Sequence, residues 1–152
     1  MIQPAFLTSL QAEQIAPGTW RLLAPLVYRS AVLGTTVTVP TDFMSDGDSI
    51  PRWLPLVYAI LKGVATAPAF LHDYLYQTHQ AHDLQITRGQ GDAVPHEAAG
   101  ADGPGIVPTS DWQRWLLWSG VRIGGGWAWY TGPRRYSALR NYAVQDRRVV
   151  PR

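Results

Sequence analysis

Thr35-Thr-Val-Thr-Val39 alternates polar and apolar side chains and is closed by Pro40. Period two marks a half-buried strand, because successive side chains point to opposite faces of a sheet. Just upstream, residues 19–23 and 26–32 are rich in apolar and β-branched side chains, with Pro25 between them and Gly34 as a turn. The spacing predicts a two- or three-strand antiparallel unit over 19–40. Residues 1–17 are weakly patterned and run into an Ala16-Pro17-Gly18 turn.

Downstream the pattern turns helical. A polar loop covers 41–50, Ser49 caps a helix opened by Pro51, and that helix runs to Leu61. Pro68 opens a second helix with Phe70, Leu71, Tyr74 and Leu75 on its apolar side, ending between Gln80 and Leu84. Residues 87–99 read as a helix weakened by Gly89, Gly91 and Pro95. A Gly/Ala/Pro loop over 98–108 follows, with 99–107 reading as an insertion that is either a lid or slack chain. Ser110 or Thr109 then caps a helix over 111–123, with Trp112, Trp115, Leu116 and Val121 in phase. Gly124-Gly125-Gly126 breaks it, residues 127–130 form a short aromatic segment, and Pro133 starts a last helix. The expected architecture is a single α+β domain over 1–133. It comprises a small N-terminal antiparallel β unit followed by four or five helices. Residues 134–152 are expected to form an Arg-rich C-terminal helix and tail.

The chain of 152 residues is long enough to bury one core unaided. It contains no cysteine, which excludes disulfide scaffolds, thiolate metal sites and cysteine nucleophiles. No membrane span and no signal peptide are expected. Charged residues are only 16% of the chain, and seven Trp and seven Tyr outnumber three Phe. Trp and Tyr suit half-wet positions such as subunit interfaces, so an oligomer or larger assembly is expected. Twelve of the thirteen basic residues are Arg, six of them within 134–152. That tail reads equally as a solvated end docked on the acidic body and as an arm for a neighbouring subunit, nucleic acid or a phosphate surface.

The densest chemistry is Leu71-His72-Asp73-Tyr74-Leu75-Tyr76. On a helix His72, Tyr76, His79 and Asp83 form one stripe. A histidine beside a carboxylate, with a tyrosine one turn on, is what a general base with an orienting network requires. Asp46-Gly47-Asp48-Ser49 places two carboxylates around a glycine, as in half of a cation loop, and equally forms a turn with an N-cap. Arg88 and Asp92 stand four apart and read as a surface ion pair.

In order and spacing these stretches resemble a family of phage and prophage proteins, domain-of-unknown-function family 1353. The likeness runs through residues 39–46, Ser49-Ile-Pro-Arg52, Ala69-Phe-Leu-His-Asp-Tyr-Leu-Tyr76, Thr87-Arg-Gly-Gln-Gly-Asp92 and Trp115-Leu-Leu-Trp-Ser-Gly-Val-Arg122. It covers about residues 19–130. It singles out Asp46, Ser49, Pro51, His72, Asp73, Tyr76, Arg88 and Asp92, with Gly91 and Pro95 departing from the family's usual Ala and Phe. It implies a phage origin and no defined chemistry. A shorter likeness is to secreted phospholipase A2 enzymes, which carry His-Asp-x-x-Tyr on a helix. It implies His72 as general base for water, Asp73 as a calcium ligand and Asp92 as the orienting carboxylate. Those enzymes depend on disulfides and a Cys-containing calcium loop, which this chain lacks.

Three readings follow. The first is a virion protein of the tail or tail tip that contacts other subunits. It would occupy the virion, or the host cytoplasm before assembly. The second is a hydrolase of a cell-envelope ester or amide, with His72 as base, Asp92 or Asp46 orienting it and Tyr76 in the network. There Asp73 with Asp46 or Asp48 holds a divalent cation such as calcium, and in one variant Ser49 is the nucleophile. The third is a phage accessory protein that counters host defence.

Overall fold

The computed structural model describes residues 2–16, 19–45, 66–116, 118, 119, 122, 126 and 128–131. Asp46, Asp48, Ser49, the helix expected from Pro51 and the Arg-rich segment 134–152 lie outside the described residues.

The alternating stretch forms a strand, and its pairing follows the pattern. Six strands precede the helices: β1 (Ala5–Phe6), β2 (Ala12–Ala16), β3 (Thr19–Leu22), β4 (Leu26–Ser30), β5 (Thr35–Val39) and β6 (Met44–Ser45). They form two antiparallel sheets, ordered β1-β4-β5 and β2-β3-β6. Leu26, Tyr28 and Ser30 of β4 point inward beside Val37 and Val39 of β5, all fully buried. The β4–β5 turn closes at Gly34, whose φ of 68° is the left-handed region that glycine enters without a Cβ clash. β1, β2 and β6 have no counterpart in the expected β unit. Strands of two residues, as in β1 and β6, show no period, and β2 is interrupted by a bulge near Ile15.

Helix α1 spans Thr66–Thr78, the hairpin strands β7 and β8 are Gln80–Ala81 and Leu84–Gln85, and α2 spans Arg88–Ala99. α1 is buried nearly all round: Phe70, Leu71 and Leu75 join the core, and His72, Asp73, Tyr76 and Gln77 are buried too. It lies against both the sheet and α2. The expected polar stripe ends earlier than its periodicity suggests. His79 takes a left-handed φ of 56° and its amide bonds back to the Leu75 carbonyl, a helix-ending cap. Asp83 therefore stands in the exposed β7–β8 turn, away from the helix face.

α2 forms across Gly89, Gly91 and Pro95 because its start is well capped. The Thr87 hydroxyl accepts from the Gln90 amide while the Gln90 side chain accepts from the Thr87 amide, a capping box. Its last full turn is fastened to β4 by Glu97. That carboxylate accepts from Tyr28 Oη (3.0 Å), Ser30 Oγ (2.9 Å) and the amides of Ala31 (3.1 Å) and Val32 (3.0 Å). The segment after α2 is fastened to the rest of the fold by hydrogen bonds. Thr109 bonds through both its amide and its hydroxyl to the Ala99 carbonyl, and Asp102 O accepts from the Phe6 amide. Ser110, with Gln113, then opens a helix over 111–116. Residues 126 and 128–131 are also helical, where an aromatic segment outside any helix was expected. The whole is a single α+β arrangement, as the sequence suggests.

Candidate functional site

The polar cluster lies where α1 crosses α2. His72 and Tyr76, one helical turn apart on α1, are stacked at a tilt, with ring centroids 4.1 Å apart. Asp92 projects from α2 and is 2% exposed. Its Oδ1 accepts a short hydrogen bond from the Tyr76 hydroxyl, and its Oδ2 accepts from Arg122 Nη1 at 3.0 Å. Arg88 Nε lies 4.0 Å from the same oxygen, while Arg88 Nη2 donates to the Arg122 carbonyl. The pair read from sequence as a surface contact is thus one side of a buried carboxylate clamp, and Arg122 is its nearer cation. Burial, reinforced by the hydrogen bond to Asp92, pushes the Tyr76 phenol up to about 12.

Gly91 brings the two helices this close. A Cβ there would meet Trp129 Cζ3 at 2.9 Å and Tyr76 Cε2 at 3.4 Å. Trp129 packs edge-on against Tyr76 at 5.0 Å and face-to-face on His79 at 3.9 Å. His79 Nε2 lies 2.9 Å from the Trp129 carbonyl, so it is the protonated nitrogen and donates there. His79 therefore ties the 128–131 turn to the end of α1.

On the other side of His72 stands a second carboxylate. Asp73 is 7% exposed; its Oδ2 accepts a short hydrogen bond from the Ser45 hydroxyl of β6. Its Oδ1 lies 3.4 Å from His72 Nδ1. His72 is 6% exposed, and its Nε2 has no hydrogen-bond partner among the described residues. His72, Asp73, Tyr76 and Asp92 do share one polar nest. Asp92 reaches His72 only through the Tyr76 ring, with both its oxygens already engaged. Of the cation set Asp46, Asp48 and Asp73, only Asp73 is described, and the described residues contain no cluster of three or more metal-ligating side chains.

Ser45, Arg122, Trp129 and Glu97 do not stand out in the sequence. Ser45 adjoins the Asp46 loop and has the right chemistry, but its two-residue strand is silent. Arg122 carries no local signal, because what gives it a role is a partner thirty positions earlier.

A model of the family described as Protein of unknown function (DUF1353) matches residues 20–121. No curated protein and no solved structure matches the chain. The comparison with phospholipase A2 therefore rests on His72, Asp73 and Tyr76 alone.

Proposed function

Proceeding from a chain that belongs to the DUF1353 family, we propose that it is a phage virion subunit of the tail or tail tip, working through contacts with its neighbours. One observation carries this reading. Trp112, Trp115 and Trp118, spaced three apart along the helical stretch after Ser110, are 56%, 64% and 39% exposed. Three such rings on one side of a helix offer the aromatic anchors that dominate protein interfaces, and they are left in water here. The carboxylates of α2 support the same reading, since Asp92 and Glu97 are filled by internal donors. The test is composition of purified particles from cells carrying the gene. The chain should copurify with tails, and Trp115→Glu should abolish its incorporation while leaving its melting temperature unchanged. Particles complete without the chain would refute the role.

A second reading, a hydrolase of a cell-envelope ester or amide with His72 as base, is favoured by the bare, buried Nε2 of His72. There His72→Ala should abolish hydrolysis of a model ester or of peptidoglycan fragments with the fold intact. Parallel loss of folding rejects catalysis as the reason for the residue.

A further inference from the structure

We infer that Asp73, held by Ser45, is the positioning residue for His72, and that it fixes the imidazole as the Nδ1–H tautomer with Nε2 as an inward-facing proton acceptor. This deepens the hydrolase reading, yet its consequences can be read without any turnover. The argument is one of donors and acceptors. Nδ1 faces Asp73 Oδ1 at 3.4 Å, and Nε2 is buried without a partner among the described residues. Were the proton on Nε2, the Nδ1 lone pair would face a carboxylate oxygen and a buried N–H would stay unsatisfied. Both are unfavourable, and a lost buried donor alone costs on the order of 1–3 kcal/mol. With the proton on Nδ1, the ring donates to the carboxylate and the unpaired group is a lone pair. At 3.4 Å the bond is long, as catalytic bonds often are before a ligand tightens them.

The competing orienter, Asp92, is disqualified by its own partners. Tyr76 occupies one oxygen, Arg122 the other, and the Tyr76 ring lies against the imidazole. Tyr76 and Asp92 form the wall on which His72 leans; Ser45 and Asp73 set which nitrogen is bare. Ser45 aligns the carboxylate from β6, so the sheet and α1 jointly define the acceptor. The partner that Nε2 calls for is a hydroxyl donor, a water or an alcohol, that gives it a hydrogen bond and passes its proton to Nε2 as its oxygen attacks.

Long-range nitrogen NMR of the full chain, labelled at its four histidines, tests this. His72→Gln assigns the resonance by its disappearance. In the neutral ring, His72 Nδ1 should resonate as protonated and Nε2 as bare. Asp73→Ala and Ser45→Ala, checked for an intact fold by circular dichroism, should move the ring toward the tautomer mixture of free histidine. Asp92→Asn should leave it unchanged. A wild-type ring protonated at Nε2 overturns the inference, as does a ring that responds to Asp92→Asn and not to Asp73→Ala. A wild-type ring of the expected tautomer in a protein with no hydrolytic activity would sink the hydrolase reading and spare this one.

Discussion

The inner and outer sides of the helical layer solve opposite problems. Inside, both carboxylates of α2 are surrounded by donors: the buried Asp92 by a phenol and two guanidinium groups, the half-buried Glu97 by two hydroxyls and two amides. Outside, along residues 111–119, three indoles face solvent. An unpaired polar group inside and an uncovered apolar ring outside are both unfavourable, but only the second can be relieved by another molecule. The interior is thus organised for stability, except at three buried atoms that lack a hydrogen-bond partner among the described residues, His72 Nε2, Gln77 Oε1 and Arg88 Nε, and the exterior for contact.

Substitutions that strip one side while sparing the other sharpen the contrast. Asp92→Ala leaves the Tyr76 hydroxyl buried and unpaired and deprives Arg122 and Arg88 of their counter-charge. It should lower stability by about 3 kcal/mol in urea melts, and a loss under 1 kcal/mol would mean the clamp is ornamental. Glu97→Ala removes the acceptor shared by Tyr28, Ser30 and the turn amides, and should cost roughly 2 kcal/mol by the same assay. Glu97→Gln, which keeps an acceptor, should recover part of it. Gly91→Ala gains helix propensity yet drives a methyl into Trp129. A net destabilisation of about 1 kcal/mol is expected, and any stabilisation would contradict the close packing.

A smaller signature is alkaline. The Tyr76 phenol titrates at 10.0 when unfolded and about 12 when folded, because burial and Asp92 oppose its ionisation. Its contribution is whole below pH 10 and falls between 10 and 12, where the unfolded chain loses the proton first. Tyr76→Phe should flatten that part of the stability–pH curve, though burial of Tyr28 pushes the same way and leaves a remainder. Smallest of all, Trp115→Ser should change stability by no more than about 0.5 kcal/mol, its ring being mostly in water. Its effect belongs to assembly, and a large thermal shift would place the ring in the core instead.

Much of this was legible in the residues. Period two located β5, apolar and β-branched composition located β3 and β4, and the polar letters at 72, 73, 76 and 92 do converge. What escaped has physical causes. The stripe through His79 and Asp83 assumed an unbroken helix, but a left-handed residue at 79 stops it, and histidine gives no warning of that conformation. Gly91 and Pro95 read as weaknesses of α2, whereas Gly91 is the clearance through which Tyr76 and Trp129 meet. The roles of the two acids near His72 were legible only as composition. Which one faces the imidazole depends on Arg122 and Ser45, brought in from distant elements.

The amide of Phe6 donates to the carbonyl of Asp102, with Gly103 packed under the phenylalanine so closely that no side chain fits there. The first strand is therefore latched by a segment synthesised after α2. During translation β1 has β4 to pair with early, but this latch must wait until residue 102 has emerged, and closing so long a loop makes it a late event in folding. Ribosome-stalled chains ending before residue 102 should consequently expose their amino terminus to proteases that the finished protein resists.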